Sequence, residues 1–312
     1  MRIAAILFIG IFCAAAPAFL KSGEKVHILP HQGIERTFRV FVPSSYGLST
    51  SRPTAPLPVV LALHGGATDG LTMSRYTGLD EKAERAGFIA VYPNGTGLLD
   101  RILTWNSGVC CGYAQRHNID DVGFLREVAA FIVKDYHGDP SRIYVTGISN
   151  GAMMAYRLAV EAPDIVAAVA AVAGTMDIDP ALVKRPKPIL HFHGTDDEYV
   201  PWNGGRGART LLGNSHRSVM STIEAWVRID GAGQEAETTV LPNPTGDGTE
   251  VVRHVYPPRA GGFEVIVYEI RGGGHTWPGR VRAEGLLGKA TTAIDANDIM
   301  WDFFSRHTLR KG

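Results

Sequence analysis

RIYVTGISNGAMM, residues 142–154, sets a serine between two glycines where a β-like run meets a helix-like run. A G-x-S-x-G match is weak by itself: with 36 glycines in 312 residues, chance alone yields about 0.2 such matches. Context gives it weight. IYV reads as a strand and AMMAYRLAV as an apolar helix, and a strand, a sharp turn and a helix are the setting of a nucleophile elbow. Glycines at 147 and 151 suit such a turn, because a side chain at either would press on the neighbouring strand or helix. Ser149 also falls at a helix N-terminus, where amides and dipole favour developing negative charge. Its bland alternative is a helix cap.

Working outward, strand-like and helix-like runs alternate. Arg36 to Val42 alternates as a half-buried strand, and Val59 to Leu63 is a continuous apolar run, the pattern of a strand buried on both faces. A helix near Asp80 to Ala86 leads to a strand at Phe88 to Tyr92, and a Gly-rich, aromatic loop over 94–119 leads to a helix from Asp121 to about Tyr136, capped by Asp120 or Asp121. The remaining elements are strand Ile143 to Thr146, helix Asn150 to Val160, strands Val166 to Ala173 and Pro188 to Phe192, helix Ser215 to Ile229, strand Glu264 to Ile270 and a helix from about Thr292 to His307. Strands separated by helices predict an α/β fold with a mainly parallel sheet and helices on both faces. Right-handed crossovers then line the loops after the strand C-termini along one edge, where ligands bind.

Bulk properties exclude little but point away from polyanions. The chain carries 31 basic and 31 acidic residues, with no run of five like charges, so neither nucleic acid nor an anionic membrane is an expected partner. Arg2, an apolar run from Ile3 to Ala16 and the Ala16-Pro17-Ala18 site read as a signal peptide over 1–18. That run is too short to favour a stable membrane span, and bulky Phe12 before Cys13 disfavours a lipid anchor. Export predicts a secreted or periplasmic protein of one domain, 19–312, retaining Cys110 and Cys111. Two readings of this pair stand side by side. One is a vicinal disulfide, strained if the Cα atoms keep the roughly 3.8 Å spacing of a trans peptide; the other is two packed thiols.

A serine needs a base, and the base an orienting acid. Downstream, PILHFHGTDDEYVP closes a strand with Asp196 and Asp197, and EVIVYEIRGGGHTWPG closes another with a glycine triplet and His275. His275 is the strongest base candidate. His64, His191 and His193 lie in or beside buried strands and read as packed or hydrogen-bonding; His254 falls in a polar strand and His307 near a helix C-terminus. Asp177 and Asp179, after the preceding strand, are alternative acids. An oxyanion pocket needs one amide from the residue after the nucleophile, Asn150, and one from an earlier strand loop, here VVLALHGGATDG, where Gly65 and Gly66 allow close backbone approach.

With these residues in view, the chain resembles the secreted polyhydroxybutyrate depolymerase and feruloyl esterase group of the α/β-hydrolases. The motifs are LHGG at 63–66, TWNSGVCCG at 104–112, IDDVGFL at 119–125, GISNGAMM at 147–154, HGTDDEYVPWNGG at 193–205 and GGGHTWPG at 272–279, so the similarity runs from about Arg36 to His307. The resemblance implies an α/β-hydrolase fold without a large cap domain, Ser149 as nucleophile, Asp197 rather than Asp196 as acid, His275 as base, and the Gly66 and Asn150 amides as oxyanion donors. No metal or organic cofactor is implied.

The expected function is ester hydrolysis through an acyl-enzyme, on feruloyl- or acetyl-type esters of plant polysaccharide. The alternative is a polyhydroxybutyrate depolymerase or oligomer hydrolase. Further from it stand an acyltransferase and a non-catalytic binding protein. Trp105, Trp202 and Trp277 lie in or beside predicted active-edge loops and are expected to form an aromatic substrate wall; the alternative for any one is a loop anchor. The oligomeric state is open.

Overall fold

Period-two side-chain alternation lets one apolar strand feed two cores, and the strands here use it on both faces. A computed structural model describes residues 23–47, 55–99, 102–210, 213–281 and 284–310; the predicted signal peptide and Cys13 lie outside them. The strands are β1 Glu24–His31, β2 Ile34–Phe41, β3 Leu57–Leu63, β4 Ile89–Pro93, β5 Gly138–Ile148, β6 Ala168–Val172, β7 Ile189–Gly194, β8 Glu237–Leu241, β9 Glu250–Tyr256 and β10 Val265–Arg271. They form one sheet in the order β1-β2-β4-β3-β5-β6-β7-β10-β9-β8. From β4 to β10 the neighbours run parallel, and antiparallel pairs flank that block on both sides.

Val59, Leu61 and Leu63 of β3 pack with Val145, Val169 and Ile189 on one face, under the helices Asp121–Asp135, Asn150–Glu161 and Val219–Ile229. Val60 and Ala62 point the other way, joining Tyr144, Leu190 and Ile266 beneath the helices Gly70–Thr77, Leu79–Ala86 and Ala296–Phe304. The expected mainly parallel sheet with helices on both faces is therefore present. No cap domain stands over it among the described residues, and no helix among them is long and apolar enough to cross a membrane.

Several boundaries differ from expectation. The helix expected from Ser215 starts at Val219, because His216 pairs with Gly205 in a β-bridge and Ser218 caps the helix by accepting from the Ser221 amide. The last helix spans Ala296–Phe304 rather than 292–307; Asp295 caps it, and the Thr292 amide is turned aside to Asp247 Oδ2 at 2.6 Å. The Asp120 side chain caps the Asp121–Asp135 helix, accepting from the Gly123 amide.

Candidate active site

β5 ends at Ile148 and the helix begins at Asn150, so Ser149 is the turn itself, with φ 58° and ψ −125°. Its amide donates to the Val172 carbonyl of β6 at 2.9 Å, and the residue is partly exposed. Both flanking glycines are sterically required. A Cβ on Gly147 would lie 2.5 Å from the Gly151 carbonyl, and one on Gly151 would run into the Leu63 and His64 carbonyl oxygens. The predicted strand, turn and helix are thus all in place, and the elbow helix abuts the end of β3.

The loops after β7 and β10 are sewn together. The Thr195 amide donates to the Ile270 carbonyl, the Asp196 amide to the Gly273 carbonyl, and the Gly272 amide to Thr195 Oγ1, each at 2.9 Å. This lays His275 against Asp197, with Nδ1 to Oδ2 at 2.7 Å and both side chains buried. The other carboxylate oxygen accepts from the Tyr199 and Val200 amides at 2.8 and 2.9 Å. Burial alone would push the Asp197 carboxyl up, but the charge and hydrogen bond of His275, with the His193 imidazole close behind, outweigh it and hold it well below the usual carboxylate range. Asp196 instead faces solvent. Asp177, the alternative acid at the end of β6, is taken by His216, with Nδ1 to Oδ2 at 2.7 Å, and Asp179 caps the short turn Pro180–Leu182.

On the other side of Ser149, Gly66 is exposed, and a Cβ built on it would sit 3.7 Å from Asn150 Cβ. The next amide, Ala67, is consumed by the Leu103 carbonyl at 2.8 Å. Asn150 opens its helix, where an amide has no intrahelical acceptor. His64 braces this loop: its Nδ1 lies 2.7 Å from the Gly65 carbonyl and its Nε2 accepts from the Gly95 amide at 2.9 Å. Those partners fix a neutral Nδ1–H tautomer, and burial pushes its pKa down to about 4.

The aromatic wall needs correction. Trp105 and Trp277 have no exposed surface. Trp105 donates its indole N–H to the His64 carbonyl at 3.0 Å and its amide to Asn150 Oδ1 at 2.7 Å, while Trp277 donates its indole N–H to Asn297 Oδ1 at 3.0 Å. Both are loop anchors, since a buried indole N–H must find an acceptor; only Trp202 keeps some exposure, with its ring edge-on to His193. The ring that sequence reasoning missed is Tyr199, partly exposed and 5.0 Å from the His275 ring. Its position two residues after Asp197, in the turn that Asp197 closes, is the signal that was available. Cys110 and Cys111 are joined sulfur to sulfur across a cis peptide, with Cα atoms 3.1 Å apart, where the sequence reading assumed trans spacing. Cys110 packs with Met153 and Val200 in a small apolar cluster that Cys111 and Tyr199 border.

Residues 44–179 match the family "Esterase PHB depolymerase". A protein of Nocardia uniformis subsp. tsuyamanensis named as an esterase, NocK, is 32% identical over 84% of this chain and 79% of its own length. Feruloyl esterase B of Piromyces equi is 30% identical over 66% of this chain, and the bifunctional acetylxylan esterase/xylanase XynS20E of Neocallimastix patriciarum 25% over 89%; the aligned region spans 34% of each of those two relatives. Among solved structures, an acetyl xylan esterase from Aspergillus awamori shares the fold at a TM-score of 0.58 and 15% identity, over 90% of this chain and 99% of that one. The chain belongs to the esterase PHB depolymerase family, carboxylic ester hydrolases built on the α/β-hydrolase fold.

Proposed function

We propose that this chain is a secreted serine esterase that hydrolyses acetyl or feruloyl esters of plant polysaccharide, with Ser149, His275 and Asp197 as its triad. The observation that carries the reading is the buried 2.7 Å contact between His275 Nδ1 and Asp197 Oδ2 on loops beside the elbow. Asp197 accepts a hydrogen bond from Nδ1–H and stays ionised, which leaves the His275 Nε2 lone pair to take the Ser149 proton as Oγ attacks the ester carbonyl. The Asn150 and Gly66 amides hold the oxyanion. Collapse expels the alcohol, and water activated by His275 frees the acid from the acyl-enzyme. The substrate class is drawn from the acetylxylan and feruloyl esterases among the relatives.

A second reading, cleavage of short hydroxyalkanoate oligomers, is favoured by exposed aliphatic side chains on the loop after β4, where Leu98 is 81% and Leu99 62% exposed. Hydrolysis of p-nitrophenyl acetate by wild type and Ser149→Ala tests the mechanism: the variant is expected to lose about four to six orders of magnitude in kcat, and equal rates would refute the serine mechanism. Methyl ferulate, acetylated xylan and hydroxybutyrate oligomers, run side by side, decide between the substrate readings.

A further inference from the structure

Behind Asp197, buried polar side chains lead inward along β7. His193 Nε2 lies 2.8 Å from the Val200 carbonyl oxygen and 3.4 Å from Asp197 Oδ2. Its Nδ1 is 3.1 Å from His191 Nε2, and His191 Nδ1 is 2.8 Å from the Tyr156 hydroxyl. None of the three side chains is more than 1% exposed. Positions 191 and 193 share one face of their strand by the period-two rule. Tyr156 comes from the helix Asn150–Glu161, whose first residue follows Ser149.

Proton positions follow from the partners. A carbonyl and a carboxylate only accept, so His193 Nε2 carries a hydrogen. A neutral imidazole has one N–H, so His193 Nδ1 accepts and His191 Nε2 donates to it. His191 Nδ1 then accepts from the Tyr156 hydroxyl. Burial keeps His191 well below the usual histidine range. The titratable groups around the chain are Asp197 and His275 at one end and Asp230 near Tyr156 at the other.

We propose that Tyr156, His191 and His193 form a one-way hydrogen-bond chain that positions the triad acid, with neutral His193 donating to the Val200 carbonyl of the acid turn and setting its N–H 3.4 Å from Asp197 Oδ2 on the core side. The proposal rests on the reading of Asp197 as that acid. His193 touches no reacting atom and is a positioning residue. Its N–H holds the Val200 carbonyl, whose own residue donates its amide to Asp197 Oδ1, and through Tyr156 the chain links the acid loop to the helix that carries the elbow.

The test has two arms on the full-length protein. Nitrogen-15 histidine NMR at neutral pH is expected to show His191 and His193 as Nε2–H tautomers and His275 as the opposite, Nδ1–H, with His191→Phe and His193→Leu used for assignment. A protonated Nδ1 on His193 would overturn the chain. In kinetics with p-nitrophenyl acetate, His193→Leu is expected to lower kcat about 10- to 100-fold with KM within about twofold. It should also move the acidic limb of the kcat/KM profile to higher pH, because the Asp197 charge then acts on His275 without the polar N–H of His193 beside it. His193→Gln, whose amide can still donate at the Nε2 position, should recover most of the rate; unchanged kcat and profile in His193→Leu, or no recovery with Gln, refutes the positioning role. Because Ser149→Ala tests the triad and the tautomers are read without turnover, failure of one reading is distinguishable from failure of the other.

Discussion

Ser149 holds φ at 58°, a backbone region that a residue with a Cβ occupies at a cost of about 1–3 kcal/mol. The 2.9 Å bond from its amide to Val172 and the close approach of Gly147 to Gly151 keep the turn closed over that cost. Two substitutions separate backbone from hydroxyl. Ser149→Ala and Ser149→Gly both remove Oγ, but only glycine relaxes the φ, so Ser149→Gly is expected to be the more stable of the two by about 1 kcal/mol in urea unfolding. Equal midpoints would show that the elbow is unstrained. Asp197 and His275 differ from Ser149 in kind: their positions come from the bonds between the β7 and β10 loops, and neither has a positive φ.

Between elements, the loop after β4 is tied to the Asp121–Asp135 helix by one buried ion pair. Arg36 Nη2 donates to Asp121 Oδ1 at 2.7 Å and to the Asn94 carbonyl at 2.9 Å, and Asp121 Oδ2 accepts from the Asn106 amide. Burial pushes the Asp121 carboxyl up and the Arg36 guanidinium down, against their mutual attraction. Such a pair adds little over apolar replacements, but halving it strands a charge. Asp121→Ala is therefore expected to cost about 3–5 kcal/mol in urea unfolding, and Arg36→Met with Asp121→Leu much less; a loss under 1 kcal/mol in the single variant would contradict the account. Elements were legible where burial writes a pattern. The parallel strands from β4 to β10 are apolar runs, and the helices Asp121–Asp135, Asn150–Glu161 and Val219–Ile229 on them have apolar stripes. By contrast β1 and β8 are edge strands that bury almost no side chain, so no apolar run marks them. The helix Gly70–Thr77, with its polar GLTMSRYT sequence, is set by the Asp69 cap and the left-handed Gly78 rather than by periodicity. The tryptophans misled for a related reason: position on an active-edge loop can be read from the chain, but the acceptor that draws an indole N–H inward belongs to another segment.

At the scale of the whole molecule, pH-dependent stability and the proposed catalysis draw on different buried carboxylates. Asp230, at the C-terminal end of Val219–Ile229, accepts from the Lys187 amide at 2.7 Å, while its second oxygen is buried without a partner. Burial pushes its pKa up to about 8. With the folded value above the unfolded one, the folded state keeps a proton that the unfolded state loses, so stability falls as pH rises from about 4 towards 8 and is level beyond. Asp230→Asn retains the acceptor for Lys187 and removes the charge; it is expected to gain about 1–3 kcal/mol over wild type near pH 8 and little near pH 4, followed by urea unfolding at both. A pH-independent difference would rule out Asp230 as the source. Across the active edge, Asn150 joins two distant parts: its side chain accepts from the Trp105 amide and donates to the Trp105 carbonyl at 2.7 and 3.1 Å, while its own amide is the proposed oxyanion donor. Loop order around Trp105 and the placement of that donor are thus one mechanical coordinate. A substrate that grips the loop with its distant half would then improve the fit to the transition state, and its binding energy would surface as faster turnover rather than as tighter affinity.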